Sequence, residues 1–269
     1  MRALRQYILV IFLLAFIPLC RSMAECPSRL KVAILGDSNT SIGGDDCAKP
    51  QGWTKWFVEK FAPLSCRSFA RSGATWTNTA NTRRNVKEDT DLLSDDNVVF
   101  NQVCRLFEAC DSDAQAVPDL VIIAAGTNDA WFYAKRPGLF GKTASQAFSS
   151  AKGFIVGRKP STVCSLAESV RYVCEMLIER LPNTQIILLT PMQTIKAPYE
   201  RTQKVGNIIE ECAHRMSIPV VRQDYCNGVY DVRERTRHIR TTDGTHTSIE
   251  GAKRNGYLIA NQIAALLAY

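Results

Sequence analysis

The sequence predicts an α/β fold of three layers, in which helices cover both faces of a parallel β-sheet. Short apolar segments of strand length alternate along the chain with longer segments whose apolar residues recur at helical spacing. Three of the short segments end abruptly in a glycine turn, at Gly36, Gly73 and Gly126. Strands without polar alternation are buried on both faces, which is typical of parallel sheets. Because ligands bind at the carboxyl ends of such strands, the glycine turns mark the candidate site.

These patterns place five strands and five principal helices along the chain. The predicted strands are residues 32–35, 66–70, 120–125, 185–190 and 219–222. The predicted helices are Trp53–Phe61, 98–110, 161–180 with Ser161 as its cap, 200–216, and a final helix that begins just after His246. Thr247 and Glu250 are spaced as a capping box at the start of that final helix.

Residues 1–24 have the layout of a secretory signal peptide. Arg2 and Arg5 precede an apolar stretch at 7–19, and small residues follow up to Ala24. The apolar stretch is shorter than the ~20 residues that a membrane-spanning helix needs. We therefore expect cleavage rather than a stable membrane anchor.

The mature chain, residues 25–269, is predicted to be one domain, because no internal repeat or low-complexity linker divides it. We expect it to be secreted or periplasmic. A lipid anchor at Cys20 is the alternative, although Leu19 is bulky where such cleavage sites carry a small residue.

The composition excludes several classes of protein. A chain of 269 residues with 46% hydrophobic content can bury a sizeable core. Its formal charge of +7 would fall to +4 on loss of the three arginines in the predicted signal peptide, and there is no basic tail, so we expect no nucleic-acid partner. Neither C-x-x-C nor H-E-x-x-H occurs, so a zinc site is not expected. No metal or other cofactor is predicted.

The cysteines number ten, or nine after cleavage, so at least one is unpaired within the chain. Cys110 and Cys174 fall in step with helical apolar residues and are interpreted as small core residues. Cys26 and Cys66 each precede a predicted strand, and a disulfide between them is a hypothesis that an exported chain would permit.

Ser38 ends the turn Gly36-Asp37-Ser38 that follows the first predicted strand. Taken alone, this turn is a plausible helix cap. The alternative is that Ser38 is a nucleophile, which would require a base, an acid that orients the base, and donors for an oxyanion. His246 is the candidate base and Asp243, three residues earlier, the candidate acid.

Candidate oxyanion donors come from the same strand ends: the amides of Ser38 and Gly73 and the side chain of Asn128. The other two histidines could be purely structural, since His214 lies on a predicted helix and His238 lies among arginines. Asp243 could also be structural, as a residue that caps a loop.

Four separated blocks carry a family resemblance: G-D-S at 36–38, Gly73, G-T-N-D at 126–129 and D-G-T-H at 243–246. In order and spacing they resemble the SGNH, or GDSL-type, hydrolase family. The resemblance implies a flavodoxin-like sheet of five parallel strands and serine esterase activity. It also implies Ser38 as nucleophile with Asp243 and His246, and Gly73 and Asn128 as oxyanion donors. The first block departs from the family name, since it reads G-D-S-N-T.

Substrate contacts are predicted near the same blocks. Trp76 and Trp131 offer flat faces that could stack on sugar rings or line an acyl pocket. Asp37 and Asp129 are also candidates for substrate binding, although Asp129 could instead brace its loop. The aromatic residues favour an acetylated glycan as substrate, and hence removal of short acyl groups from carbohydrate. A lipid esterase, lysophospholipase or thioesterase is the alternative within this chemistry, and a non-catalytic glycan-binding module is the alternative outside it.

Two long segments are expected to shape the pocket: residues 74–118, of which 76–97 are predicted to be a solvated loop, and residues 130–160, predicted to be an inserted lid or wall. An arginine-rich segment, with Arg233, Arg235, Arg237 and Arg240, precedes the last block. It could meet an anionic substrate, or it could be a solvated face.

Overall fold

A computed structural model describes residues 29–149 and 151–267. The predicted signal peptide, Cys20 and Cys26 lie outside the described residues. The strands are β1 (Lys31–Gly36), β2 (Ser65–Ser68), β3 (Leu120–Ala124), β4 (Gln185–Leu189) and β5 (Val220–Val221). The α-helices are α1 (Ser38–Ser41), α2 (Trp53–Phe61), α3 (Val99–Asp111), α4 (Thr127–Trp131), α5 (Ala144–Ser149), α6 (Leu166–Arg180), α7 (Tyr199–Arg215), α8 (Gln223–Cys226), α9 (Asp231–Arg237) and α10 (Ile249–Leu267). Within the described residues, no helix is both long enough and apolar enough to cross a membrane.

The five strands form one sheet in the order β2-β1-β3-β4-β5, and every neighbouring pair is parallel. The chain adds β2 on one side of β1 and β3 on the other, so the order reverses between β1 and β3. There Gly36 pairs with Ala124. A crevice opens at such a reversal, outside the carboxyl ends of the strands. The predicted three-layer α/β fold with five parallel strands is confirmed.

Each face of the sheet is covered by its own apolar core, because successive side chains of a strand point to opposite faces. Val32 and Ile34 of β1 pack in one core with residues of α2 and α10. Ala33 and Leu35 pack in the other with residues of α3, α6 and α7. Helices on both faces explain why these strands show no polar alternation in the sequence.

The predicted elements differ from the observed ones mainly at their ends. Strand β5 has two residues rather than four, because Pro219 has no amide to donate and Arg222 is already the N-cap of helix α8. Helix α6 begins at Leu166, where the amide of Glu168 donates to the hydroxyl of Ser165, and not after Ser161 as the sequence predicts.

Residues 130–160 were predicted to be a lid or wall, and the described part of the segment is fastened to the body of the protein. Leu139 and Ile155 belong to the apolar core. The guanidinium of Arg136, only 2% exposed, donates to Thr75 Oγ1 and to the Thr77 carbonyl. The same contacts bury the beginning of segment 76–97, so the prediction that all of it is solvated is wrong.

Candidate active site

Ser38 lies where β1 leaves the sheet. Strand β1 ends at Gly36, whose position has no room for a side chain, since a Cβ there would lie 2.5 Å from the carbonyl oxygen of Ala124. Asp37 caps the short helix α1 by accepting a hydrogen bond from the Asn39 amide at 3.1 Å. Ser38 is the first residue of that helix. The two interpretations of the turn are therefore compatible, because Asp37 is the cap and Ser38 is left free for chemistry.

Three side chains form a continuous hydrogen-bonded chain at this edge of the sheet. His246 Nε2 lies 2.9 Å from Ser38 Oγ, although the two residues are 208 positions apart in the sequence. On the other side of the ring, His246 Nδ1 lies 2.8 Å from Asp243 Oδ2. The imidazole is 30% exposed, so solvent reaches it. This arrangement can pass a proton from the hydroxyl to the imidazole while the carboxylate steadies the resulting cation.

The carboxylate of Asp243 is held by its own loop. Its Oδ1 accepts hydrogen bonds from the amides of Thr245 at 2.9 Å and His246 at 2.7 Å. Partial burial by itself would raise the pKa of Asp243, but the hydrogen bonds from His246 and Thr245 outweigh it and hold the pKa below its ordinary value. Asp243 is therefore ionised at neutral pH and can accept the Nδ1 proton of His246.

A buried acid supports this loop from behind. Glu234 on α9 is 0% exposed and accepts hydrogen bonds from the amide of Thr241 at 3.0 Å and from its hydroxyl at 2.9 Å. The Thr241 hydroxyl in turn accepts from the amide of Gly244 at 3.0 Å. Sequence reasoning missed Glu234 as a positioning residue. Its only signal is that it is the acid in the middle of an arginine-rich segment.

The start of the last helix differs from the predicted capping box. Helix α10 begins at Ile249, and the amide of Gly251 donates to the Ser248 hydroxyl. The Thr247 hydroxyl donates instead to the carbonyl of Gln51 at 3.0 Å. The residue after His246 is thus tied to the loop between α1 and α2, which fixes the base relative to the nucleophile.

Three candidate oxyanion donors lie on the turns that follow β1, β2 and β3. Among the described residues, no protein acceptor takes the amide of Ser38 or that of Gly73. Gly73 has φ +78, a left-handed conformation that glycine adopts without strain. The Asn128 amide group donates to the carbonyl of Ala74 at 2.9 Å, which leaves its second N–H available.

Asp37 and Asp129 are buried and accept backbone amides, which favours a bracing role, and their contact with substrate stays a prediction. Asp37 Oδ2 accepts from the amide of Thr127 at 3.3 Å, and Oδ1 caps α1. One carboxylate therefore joins the helix that begins with Ser38 to the helix that carries Asn128. Both oxygens of Asp129, which is 0% exposed, accept backbone amides, those of Trp76 and Thr77.

The two candidate tryptophans differ in burial. Trp76 is 0% exposed, and its indole N–H donates to the carbonyl of Ala125 at 3.1 Å. These contacts favour a core position, and its role in substrate binding stays a prediction. Trp131 is half-buried at the end of α4 and stacks on Phe132 with ring centroids 4.5 Å apart. The ammonium of Lys196 lies 5.5 Å from the Trp131 ring centroid. Trp131 stays a candidate for contact with substrate.

Most guanidinium groups of the arginine-rich segment have partners within the protein. Arg235 pairs with Asp231 at 3.3 Å, and Arg240 pairs with Glu250 at 3.1 Å. Arg233 donates to the carbonyl of Gly228. These contacts favour a surface face over an anion site. Across the described ranges, no group of three or more His, Cys, Asp and Glu side chains could hold a metal ion.

Burial of Asp37 predicts a pH dependence of stability. Burial raises the pKa of Asp37 from 3.8 to about 6, so the folded protein binds this proton more tightly than the unfolded chain does. The stability that this group contributes is complete below about pH 4 and is lost as the pH rises through about 6, by roughly 3 kcal/mol. We expect the free energy of unfolding in urea to decline more steeply across this range in the wild type than in Asp37→Asn. Parallel curves for the two proteins would contradict the prediction.

A family model and several solved structures resemble this chain over most of its length. The model of the GDSL-like Lipase/Acylhydrolase family matches residues 34–254. A search of curated proteins finds no match to the chain. Two solved structures illustrate the fold likeness. A protein from Lactobacillus plantarum has 14% identity and a TM-score of 0.57, over 90% of this chain and 98% of its own. Est24, a carbohydrate acetylesterase from Sinorhizobium meliloti, has 18% identity and a TM-score of 0.51, over 88% of this chain and 100% of its own.

Identities this low establish the shared fold alone, whereas the family model covers most of the chain, from within β1 to the second turn of α10. The matched range includes all four blocks that carry the resemblance in the sequence. The chain therefore belongs to the GDSL-like lipase/acylhydrolase family of ester hydrolases.

Proposed function

We propose that this protein is a secreted serine esterase that removes acetyl or other short acyl groups from carbohydrate through an acyl-enzyme on Ser38. The observation that carries the proposal is the hydrogen-bonded chain from Asp243 through His246 to Ser38, with distances of 2.8 and 2.9 Å. In the reaction the Ser38 hydroxyl must give its proton to His246 Nε2, and Asp243 must stabilise the imidazolium that results.

In the first half of the reaction, Ser38 Oγ attacks the ester carbonyl while His246 Nε2 takes the hydroxyl proton. The carbonyl oxygen becomes an oxyanion, which the amides of Ser38 and Gly73 and the free N–H of Asn128 stabilise. When the tetrahedral intermediate collapses, the C–O bond to the sugar breaks. His246 then returns its proton to the departing alkoxide, so the sugar leaves as an alcohol and the acyl group stays on Ser38.

In the second half, water attacks the acyl-enzyme and gives its proton to His246. The same donors hold the second oxyanion. Collapse releases the carboxylic acid and returns the proton from His246 to Ser38. Asp243 stays ionised throughout, because its role is to accept the Nδ1 hydrogen bond and to stabilise the imidazolium.

A carbohydrate substrate is supported by the aromatic faces of Trp131 and Phe132, which are half-buried at the end of the helix that carries Asn128. Stacking of a sugar ring on such a face would hold the ester beside the oxyanion donors. The fold likeness to the carbohydrate acetylesterase Est24 is in keeping with the proposal.

A panel of substrates tests the acyl and alcohol parts separately. We expect kcat/KM on p-nitrophenyl esters to be highest for acetate and to fall at least tenfold by octanoate. Acetylated oligosaccharides should release acetate, and Trp131→Ala should raise KM for them more than for p-nitrophenyl acetate. Tyr133→Ala, an exposed aromatic two residues further on, serves as the matched control. Rates that rise with chain length would favour a lipid esterase or a thioesterase instead.

Export of the chain is tested by secretion from a host cell. The mature protein should begin at Glu25 when its N-terminus is sequenced. A mature chain that retains residues 1–24 would contradict the predicted cleavage.

Replacement of Asn128 separates oxyanion stabilisation from binding. Asn128→Ala removes one oxyanion donor and should lower kcat by about 10²-fold to 10³-fold with little change in KM. The matched control is Asn101→Ala. It removes a buried side-chain amide of α3 that donates to the backbone carbonyls of Arg83 and Asp96. That variant should lose stability without a matching loss of kcat. Full turnover in Asn128→Ala would remove Asn128 from the oxyanion site.

A further inference from the structure

Two cysteines contact each other where the loop after α1 packs against β2, the edge strand of the sheet. Cys47, which is 1% exposed, lies in the loop between α1 and α2, and Cys66 lies in the edge strand β2. Their sulfur atoms are 3.6 Å apart, in contact but not bonded. The disulfide partner that the sequence suggested for Cys66 was Cys26, which lies outside the described residues.

The approach of the two sulfurs is set by the backbone on both sides. The amide of Ser68, two residues after Cys66, donates to the carbonyl of Asp45 at 2.8 Å. The guanidinium of Arg71 pairs with the Asp45 carboxylate at 2.9 Å. The backbone of Cys47 is turned into the left-handed region, with φ 57, and its amide donates to the carbonyl of Gly44. The contact is thus part of a fixed loop-to-strand junction.

We propose that Cys47 and Cys66 are oxidised to an intramolecular disulfide in the mature protein. A disulfide has an S–S distance of about 2.05 Å, so the sulfurs need approach by only about 1.5 Å, which rotation of the two side chains can supply. One thiolate attacks an external disulfide, either glutathione disulfide or the oxidised form of a dithiol oxidoreductase. This forms a mixed disulfide and releases one external thiolate. The second cysteine thiolate then attacks the protein sulfur of the mixed disulfide and expels the other external thiolate. The two thiols lose two protons and two electrons, and the external disulfide is reduced to two thiols.

The bond forms during folding rather than afterwards. In the folded protein, the hydrogen bond with Cys47 and burial raise the pKa of Cys66, and a protonated thiol is a poor nucleophile. Before the loop closes on β2, both thiols are open to solvent and to the oxidant. An exported chain meets such oxidants where it folds.

The disulfide would hold a segment on which the candidate active site depends. The loop that contains Cys47 joins α1, which begins with Ser38, to Gln51, whose carbonyl accepts the hydroxyl of Thr247. Thr247 follows His246 directly. The bond would therefore tie the connection between nucleophile and base to the edge of the sheet.

Peptide mapping of the full chain tests the pairing. The protein is refolded in a glutathione redox buffer, alkylated with and without prior reduction, and digested with trypsin. We expect peptides 32–55 and 61–67 to be linked before reduction and to appear separately, each alkylated, after it. Free alkylation of both cysteines without reductant would overturn the proposal. So would a link from peptide 61–67 to the peptide that contains Cys26, which is 22–29 in the full chain and 25–29 once residues 1–24 are removed.

Thermal unfolding gives an independent readout. Closing a loop of this size in the unfolded chain should raise the melting temperature of the oxidised protein by roughly 5–10 °C over the reduced protein. Cys66→Ser should abolish that difference. Cys226→Ser should keep it, because the lost thiol donates to the carbonyl of Arg222 and accepts from the side-chain amide of Gln262, away from Cys47 and Cys66 in the sequence. A difference that persists in Cys66→Ser would overturn the assignment. Neither measurement depends on the proposed esterase activity.

Discussion

Ser38→Ala is expected to lower kcat on p-nitrophenyl acetate by about 10⁶-fold, the largest effect of any substitution we propose. The variant keeps the Asp37 cap of α1 and loses only the oxygen that lies 2.9 Å from His246 Nε2. Without that oxygen no acyl-enzyme can form, and the remaining donors can do no more than assist a direct attack by water. Steady-state kinetics on the purified variant, with circular dichroism to verify its fold, measures the loss.

A fluorophosphonate probe distinguishes loss of the nucleophile from loss of the fold. The wild type should be labelled at Ser38 alone, and Ser38→Ala should not be labelled. Ser112→Ala, which removes an exposed hydroxyl bonded to the carbonyl of Glu108, should keep both labelling and full activity. Turnover that survives in Ser38→Ala would rule out the acyl-enzyme. A wild type that binds acetylated glycans but is neither labelled nor active would favour the glycan-binding module.

Asp243→Asn is expected to lower kcat by about 10⁴-fold while leaving the loop intact. The asparagine oxygen can still accept the amides of Thr245 and His246, as Asp243 Oδ1 does now. Its NH₂ group would then face His246 Nδ1, which must become an acceptor. The ring proton moves to Nε2, so the ring can no longer take the proton of Ser38.

Nitrogen-15 NMR of the imidazole rings measures this change directly. In the wild type at neutral pH, His246 should carry its proton on Nδ1, and in Asp243→Asn on Nε2. His214 and His238 provide internal references, because the imidazole that is hydrogen-bonded to Asp243 is that of His246. An unchanged tautomer together with a large loss of activity would assign Asp243 a role other than orienting the base. Unchanged activity would remove it from the mechanism.

The order of strands and helices could be read from the sequence because hydrophobic periodicity reflects burial along each element. Helix α2 spans the predicted residues, and β3 differs from its prediction by one residue. The boundaries that were wrong depend on partners distant in the chain or on local competition. Strand β5 is cut short by Pro219 and by the start of α8 after Arg222, and α6 starts late because Ser165, rather than Ser161, accepts the amide of Glu168.

The sequence predicts which residue types stand at the strand ends of the candidate site. It does not predict which of these side chains are buried or which of them contact one another. Two tryptophans follow glycine turns, and nothing local distinguishes them. The structure buries Trp76 between neighbouring turns and leaves Trp131 half-exposed. Likewise Asp37 could cap one helix by sequence alone, yet its second oxygen reaches the amide of Thr127, 90 residues away.

By itself, the sequence determined the strands, most of the helices and the turns at which Ser38, Gly73, Asn128 and His246 stand, because these depend on side chains within a few positions of one another. The tertiary structure decided which of those turns meet and at what distance. It brought His246 Nε2 within 2.9 Å of Ser38 Oγ and set Cys47 against Cys66. The physical reason is the sheet order, since the packing of helices on both faces selects which strand ends become neighbours, and no local pattern encodes that choice.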